Sequence, residues 1–236
     1  MDHAGYTTLT RQSGLAREMQ IIANNIANAA TTGFRSEGLI FSEYVQAVEN
    51  GASLSMGQGN ISKTAFDQGT LTKTGGRFDL AIEGDAYFLI ETPAGERLTR
   101  LGSFAPNAAG ELVTPDGFRV LDAGGAPVFI PPLADVSVAS DGTFSADGAP
   151  LGQIGLVRPI EPLRLIREDG VVFRADDGVE PSDTARVLQG FVENSNVNPV
   201  HQIARMIEVQ RAYELGQSFL ESEDERVRAA LKALMT

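Results

Sequence analysis

The side chains that could do chemistry are few and far apart. His3 and His201 are the only histidines and stand at opposite ends of the 236 residues. His201 falls in a first helical turn, where a solvated surface position is the plain reading, and His3 in a flexible terminus. There are no cysteines, which removes thiolate nucleophiles, disulfides and cysteine-based zinc sites together. In "SMGQGN" Gly57 and Gly59 suggest a phosphate-binding loop, but Ser62 occupies the third glycine position. No strand-to-helix unit surrounds it, so a dinucleotide site is excluded. "SDGTFSADG" brings Asp141 and Asp147 close to glycines, which invites a calcium reading. The spacing lacks the alternating ligands and closing glutamate of an EF-hand, so two hairpin turns are expected. Asp176 and Asp177 before Gly178 read as a further turn. "ESEDE" at 221–225, followed by Arg226 and Arg228, reads as a solvated helix face with local ion pairs. No catalytic, cofactor-binding or metal-binding residue is assigned, and the chain is read as a non-enzyme without cofactors.

The elements that carry these residues explain more than the residues do. In "IIANNIANAATTGFRS", residues 21–36, apolar positions recur at helical spacing, yet Asn24, Asn25 and Asn28 share the same turns. Each asparagine weakens a helix by about 0.6 kcal/mol relative to alanine, so the amides need another reason to be there. Leu15, Met19, Ile22 and Ile26 step by four, three and four, as in a coiled-coil seam. A helix over 7–30 is predicted, with Gly33 as a left-handed cap at its end. At the other terminus Asn198 followed by Pro199 is an N-cap with a first-turn proline. From Met206 a seam runs through Gln210, Tyr213, Gln217, Leu220, Asp224, Val227, Leu231 and Leu234. Its polar members make it too weak to stand alone as a coiled coil and suit a helix that meets partners.

Between the helices the period changes. "RFDLAIEG" sets Phe78, Leu80 and Ile82 on one face and Arg77, Asp79 and Glu83 on the other. Turn signals then recur from "PAGE" at 93–96 to "EDG" at 168–170, which indicates an antiparallel sandwich or open barrel. The fold class is therefore α+β, with terminal helices paired as a coiled-coil layer around a central antiparallel β domain. The expected divisions are 1–35 for the N-terminal helix, 36–76 for an extended connector and 77–180 for the β domain. A return connector spans 181–197 and the C-terminal helix 198–236.

Charge supports this division. The net charge is −12, which argues against nucleic acid, since phosphate binding needs clustered Lys and Arg. Residues 41–197 carry eleven positive and twenty-two negative side chains, whereas residues 1–40 carry three of each. The middle is a self-repelling acidic body and the near-neutral ends are free to pack against copies of themselves. No apolar run reaches the length of about 18 residues that spans a bilayer, and no basic-then-apolar leader opens the chain, so neither membrane insertion nor general secretion is expected.

"ANNIANAATTGFR" near the start, "FDQGTLTKTGGRFDLAIEGDAYFLIE" in the middle and "SNVNPV…MIEVQRAYE" near the end resemble the signatures of bacterial flagellar rod and hook proteins, in order and over essentially the whole chain. Asp85, Ala86 and Tyr87 replace the more usual glycine-rich approach, and His201 and Gln202 stand where acidic residues are common. The resemblance implies paired terminal helices as an inner layer, an outer β domain and helical stacking into a hollow shaft through the periplasm. It implies a structural subunit of the basal-body rod, or a hook-type relative, whose partners are itself and other flagellar axial proteins. It also implies export through the flagellar type III apparatus. In such a layer Asn24, Asn25, Asn28, Asn196 and Asn198 are expected to set subunit register, because a buried amide in a seam fixes register at a cost in stability. Leu15, Met19, Ile22, Ile26, Ile203, Met206, Ile207, Gln210 and Tyr213 would complete the subunit interface. For Asn28 and Asn198, capping of helix ends is the competing role. The alternative from a different class is a secreted β-domain binding module with helical tails. A sugar site would want exposed aromatics along a groove, and this chain has no tryptophan.

Overall fold

In the computed structural model the backbone is described for residues 3–46, 54–132 and 134–234, and side chains for 7–40, 63–132 and 134–234. The chain divides into two units, each discontinuous in sequence. Unit 1 takes residues 1–27, 36–65 and 197–236, and unit 2 takes 28–35 and 66–196.

Unit 1 contains helix α1 (His3–Ala27), strands β1 (Glu37–Gln46) and β2 (Leu54–Thr64), and helix α2 (Pro199–Leu234). α1 begins four residues before the expected Thr7 and ends three before Ala30. The helices pack antiparallel. Gln12 Nε2 donates to the Tyr213 carbonyl at 2.8 Å, and six residues along α1 Glu18 accepts from Arg205 Nη2 at 2.7 Å. Leu15, Ile22 and Val209 are buried between them, flanked by Met19, Ile26, Met206, Ala212 and Tyr213. The face of α2 that meets α1 is thus stepped three then four from Met206, through Val209, Tyr213, Gly216 and Leu220. Gln210 and Gln217, placed on the seam by stepping four then three, are exposed. Both phases keep heptad spacing from one starting residue, and the apolar one is the one that buries.

The segment 36–76, expected as a connector, carries the long hairpin of β1 and β2. Glu37 pairs with Thr64 and Gln46 with Leu54, with a bulge beside Ile40 and Phe41. Gly51 of that segment lies outside the described residues. Asn25 fastens this hairpin to α1: its Nδ2 donates to the Glu37 carbonyl at 2.7 Å and its Oδ1 accepts the Glu37 N–H at 2.9 Å. The buried amide imitates one rung of a β ladder, satisfying a strand end with a helical side chain.

Unit 2 begins with strands β3 (Leu71–Lys73), β4 (Leu80–Glu83), β5 (Tyr87–Thr92), β6 (Gly95–Thr99), β7 (Ala105–Pro106), β8 (Leu112–Val113) and β9 (Arg119–Val120). β10 (Val136–Val138), β11 (Thr143–Ala146), β12 (Ala149–Gln153) and β13 (Leu156–Pro159) follow. After a 3-10 turn at Pro162–Arg164 come β14 (Ile166–Asp169), β15 (Val172–Arg174), β16 (Val179–Pro181), β17 (Arg186–Gln189) and β18 (Phe191–Glu193). The main ladder runs β14, β15, β6, β5, β9, β8, β7, and β13 pairs with both β5 and β16. Separate ladders join β10, β11 and β12, then β4 with β17, and β3 with β18. All the described pairings are antiparallel, and the main ladder is open, with β14 and β7 at its ends.

The centre of unit 2 is covered on both faces. Tyr87, Phe88, Leu89 and Ile90 are consecutive and all buried, so β5 reads as an unbroken apolar run rather than an alternating one. The same holds for β4, where Ala81 is buried between Leu80 and Ile82, against the simple two-face alternation. One cluster gathers Leu80, Ile82, Phe88, Ile90, Phe144 and Ile154, and the other holds Tyr87, Leu89, Leu98, Val157 and Phe173. The aspartate–glycine pairs are turns. Asp141 Oδ1 accepts the Thr143 N–H at 2.9 Å, and Asp147, at φ 49°, starts the β11–β12 turn with Gly148.

At one edge of this unit a single carboxylate is shared by two arginines. Arg97 Nε donates to Glu168 at 2.5 Å and Arg174 Nη1 at 2.8 Å, and the Arg97 bond is the main reason the Glu168 carboxyl titrates below its ordinary 4.5. A depressed carboxyl pKa adds stability above the unfolded value, which is lost as pH falls through the folded one. Glu168→Gln is expected to flatten part of the fall in melting temperature below pH 4.5 while leaving the β5 core intact. Melting curves from pH 7 to 3 check this, and an unchanged acid limb contradicts it.

Candidate assembly surfaces and a buried clasp

The most unusual side chains of unit 2 gather around one buried carboxylate. Glu193, the last residue of β18, is 1% exposed. Its Oε1 meets Arg35 Nη2 at 2.8 Å and its Oε2 meets Arg100 Nη1 at 3.1 Å. The Gly69 N–H donates to Oε1 at 3.1 Å, and the Glu193 carbonyl accepts the Gly33 N–H at 2.7 Å. Two guanidiniums thus share one carboxylate away from water, and backbone carbonyls absorb the surplus positive charge. Arg35 Nη1 donates to the Phe66 and Asp67 carbonyls. Arg100 donates to the Ile82 carbonyl at 3.3 Å and to that of Gly84. Arg100 also lies over the Tyr87 ring, 5.2 Å from its centroid. Burial pulls the Arg100 pKa down, with Glu193 opposing, and the same burial pushes the Tyr87 phenol up.

A third arginine closes the cluster. Arg167 is sandwiched between Phe34 at 4.6 Å and Phe173 at 4.7 Å, and donates to the Arg35 carbonyl. Stacking on two rings desolvates the guanidinium at little cost, because its faces carry no hydrogen-bond donors. Gly33 has the expected left-handed backbone, φ 72°, but it is not the helix cap. α1 ends at Ala27, and Gly33 lets two backbones touch: a Cβ there would sit 2.4 Å from the Arg100 carbonyl carbon.

Asn196 completes the clasp. Its N–H donates to the Phe34 carbonyl at 3.3 Å and its Nδ2 to Asp67 O at 2.8 Å. Residues 33–35, 66–69 and 193–196 are therefore bound to one another where the chain leaves or re-enters unit 2. Arg35 ends the first motif and Glu193 lies two residues before the last, and nothing in their spacing shows that they meet. Arg100 and Arg167 carried no signal.

In unit 1 the candidate interface residues separate into two groups. Leu15 and Ile22 are buried, and Met19, Ile26, Met206 and Tyr213 half-buried, in the contact between α1 and α2 of the same chain. Asn25 is buried with both amide ends bonded to Glu37. Asn198 caps α2, its Oδ1 accepting the His201 N–H at 3.1 Å, and His201 is exposed. Asn28, the first residue of unit 2, accepts from Thr31 Oγ1 at 3.2 Å, just beyond α1. The second group faces outward: Ile203 is 50% and Ile207 46% exposed, and Asn24 and Gln210 are exposed with them. Val200 extends this apolar row by one turn.

Further along α2, Leu215 and Phe219 line a groove of about 350 Å³ with Gln12, Leu15, Ala212 and Gly216. Gly216, which weakens α2 as a helix, makes room for Gln12: a Cβ there would lie 2.3 Å from its Nε2. On α2 the acidic run is paired locally, Glu223 with Arg226 at 2.6 Å and Asp224 with Arg228 at 2.8 Å. Among the described residues no cluster of three or more His, Asp or Glu is placed to hold a metal ion, and no helix is long and apolar enough to cross a membrane.

Three family models match the chain in order. Residues 6–35 match "Flagella basal body rod protein" and 81–146 match "Flagellar hook protein FlgE/F/G D1 domain". Residues 188–233 match "Flagellar basal body rod FlgEFG protein C-terminal". Arg35 is the last residue of the first match and Glu193 lies within the third. The flagellar basal-body rod protein FlgF of Caulobacter vibrioides is 39% identical, over 99% of this chain and 98% of the relative. That of Mesorhizobium japonicum is 38% identical over 97% and 98%. The rod protein FlgG of Bacillus subtilis is 31% identical over 93% and 94%.

Proposed function

The chain belongs to the flagellar basal-body rod protein family and is a structural subunit of that rod; we propose that it polymerises helically in the proximal rod, as part of the shaft that transmits motor torque to the hook. The likeness to FlgF along almost the whole of both chains carries this reading. Helical pairing in unit 1 would supply the inner coiled-coil layer of the shaft, and unit 2 the outer body. Its partners would be copies of itself and other axial proteins, and its route the flagellar type III export apparatus. The scarcity of chemically capable side chains supports a purely structural role.

The subunit contacts are assigned to the outward row of unit 1, Val200, Ile203, Ile207 and Gln210 on α2 with Asn24 on α1. Exposed apolar rows of this kind mark surfaces that bind other proteins. The buried group, Leu15, Ile22 and Asn25, holds the monomer together first. Replacing Ile203 and Ile207 by aspartate is expected to leave the purified chain folded, with its melting temperature shifted by less than about 2 °C, since both side chains are half exposed. Cells carrying that variant are expected to be non-motile and to yield basal bodies without a complete rod. Normal motility would remove these residues from the interface.

The 31% identity to a FlgG protein favours a second reading, a distal-rod subunit. Complementation separates the two: rescue of a strain lacking FlgF supports the proximal rod, and rescue only of one lacking FlgG supports the distal rod.

A further inference from the structure

Unit 2 is closed by its own two ends. Its first two strands, β3 and β4, pair with its last two, β18 and β17. Leu80 and Ile82 of β4 therefore share a core cluster with Val187 of β17. The clasp lies on this seam. Arg100, directly after β6, donates to the Ile82 and Gly84 carbonyls at the end of β4. Packing β4 against the end of β6 thus draws its guanidinium out of water, to 2% exposure. The carboxylate that compensates it belongs to Glu193, 93 residues further along the chain and the last residue of the last strand. Asp85, the other carboxylate that acts on Arg100, is exposed. Arg35, near the start of the chain, is buried against the same Glu193.

Two penalties follow for any compact form of unit 2 that lacks residues 186–193. A guanidinium buried without its counter-ion is strongly destabilising. Segments so far apart in sequence also lose loop entropy before their contact repays it. We propose that the clasp closes in the rate-limiting step of folding, so that unit 2 gains its core only when β17 and β18 dock and Glu193 neutralises the buried arginines. The clasp is then a checkpoint on completeness. A chain presented from its N-terminus keeps this unit open until residue 193 is available. This holds for the free chain, before any partner is met.

Refolding and unfolding kinetics of the purified full chain across denaturant, followed by a probe in the β5–β6 region, test it. Glu193→Gln is expected to refold at least about 30-fold more slowly than the unmodified chain while its unfolding rate rises by less than about 5-fold, because a contact made in the transition state is felt in the folding limb. A change carried mainly by the unfolding limb overturns the proposal, since the β core would then assemble before the clasp. If the variant does not fold, the unmodified chain decides alone. In pulse-labelled hydrogen exchange during its refolding, the amides of β5 and β6 are expected to gain protection in the same phase as those of Gly33, Gly69 and Asn194, which donate to Glu193 and Thr70. Protection of β5 and β6 in an earlier phase overturns the proposal.

Discussion

Glu193→Gln is expected to lower the stability of unit 2 by about 3–5 kcal/mol, the usual result of removing one partner from a buried ion pair. Arg35 and Arg100 are 1% and 2% exposed, so neither guanidinium can recover its lost counter-ion by turning to water. The glutamine amide still offers one acceptor, but its NH2 group faces a second guanidinium across a distance now near 3 Å, donor against donor. For a unit of this size the loss corresponds to a fall in melting temperature of about 10 °C or more. Denaturant titration of the full chain, followed by a probe in the β5–β6 region, checks this. A change under about 1 kcal/mol would mean that the backbone carbonyls around Arg35 and Arg100 satisfy both cations without Glu193. A replacement of all three by apolar side chains of similar size is expected to recover most of the loss, since buried ion pairs often gain little over packed hydrocarbon. The clasp would then be read as a device for specifying which segments meet, and less as a source of net stability.

Gly69→Ala should be comparably severe for a steric reason. A Cβ at Gly69 would lie 1.9 Å from the Asn194 carbonyl oxygen and 3.0 Å from its carbon. Backbone, not a flexible side chain, occupies the space, so the residues after β18 must move away from those before β3. That movement breaks the Asn194 N–H bond to the Thr70 carbonyl, 2.9 Å, and the Gly69 bond to Glu193. A loss of more than about 3 kcal/mol is expected, in the range reserved for overpacking combined with a broken buried network. Gly117→Ala is the control. Gly117 has φ 84° with nothing within 4 Å of a built Cβ, so only left-handed backbone strain of about 1 kcal/mol applies. If both alanines cost the same, the close approach at Gly69 is not what holds the strand.

Neither Glu193 nor Gly69 shows its role in the linear sequence. "DQG" belongs to one family signature and Glu193 lies two residues before another, but one-dimensional spacing gives no reason for a glycine 124 residues from its glutamate to touch it. The Asn-rich helix was legible as an anomaly of propensity, and its explanation was not. Asn25 is taken by the end of a strand twelve residues on, while Asn198 does what its position before a proline already indicated.

By itself the sequence determined the two terminal helices, the β-rich middle, the Asp–Gly turns and the family, because each rests on local period, local backbone preference or an ordered motif. Those signals depend on neighbours in the chain and survive without coordinates. The tertiary structure alone decided which phase of α2 is apolar, that Glu37–Gln46 pairs with Leu54–Thr64, and that Gly33 serves a close approach and not a cap. It alone brought Arg35, Arg100, Arg167 and Glu193 into one cluster. Such outcomes turn on which surface covers which, and burial is a property of the packed chain: a heptad started at Met206 fits two faces equally well until Leu15 and Ile22 of α1 lie against one of them.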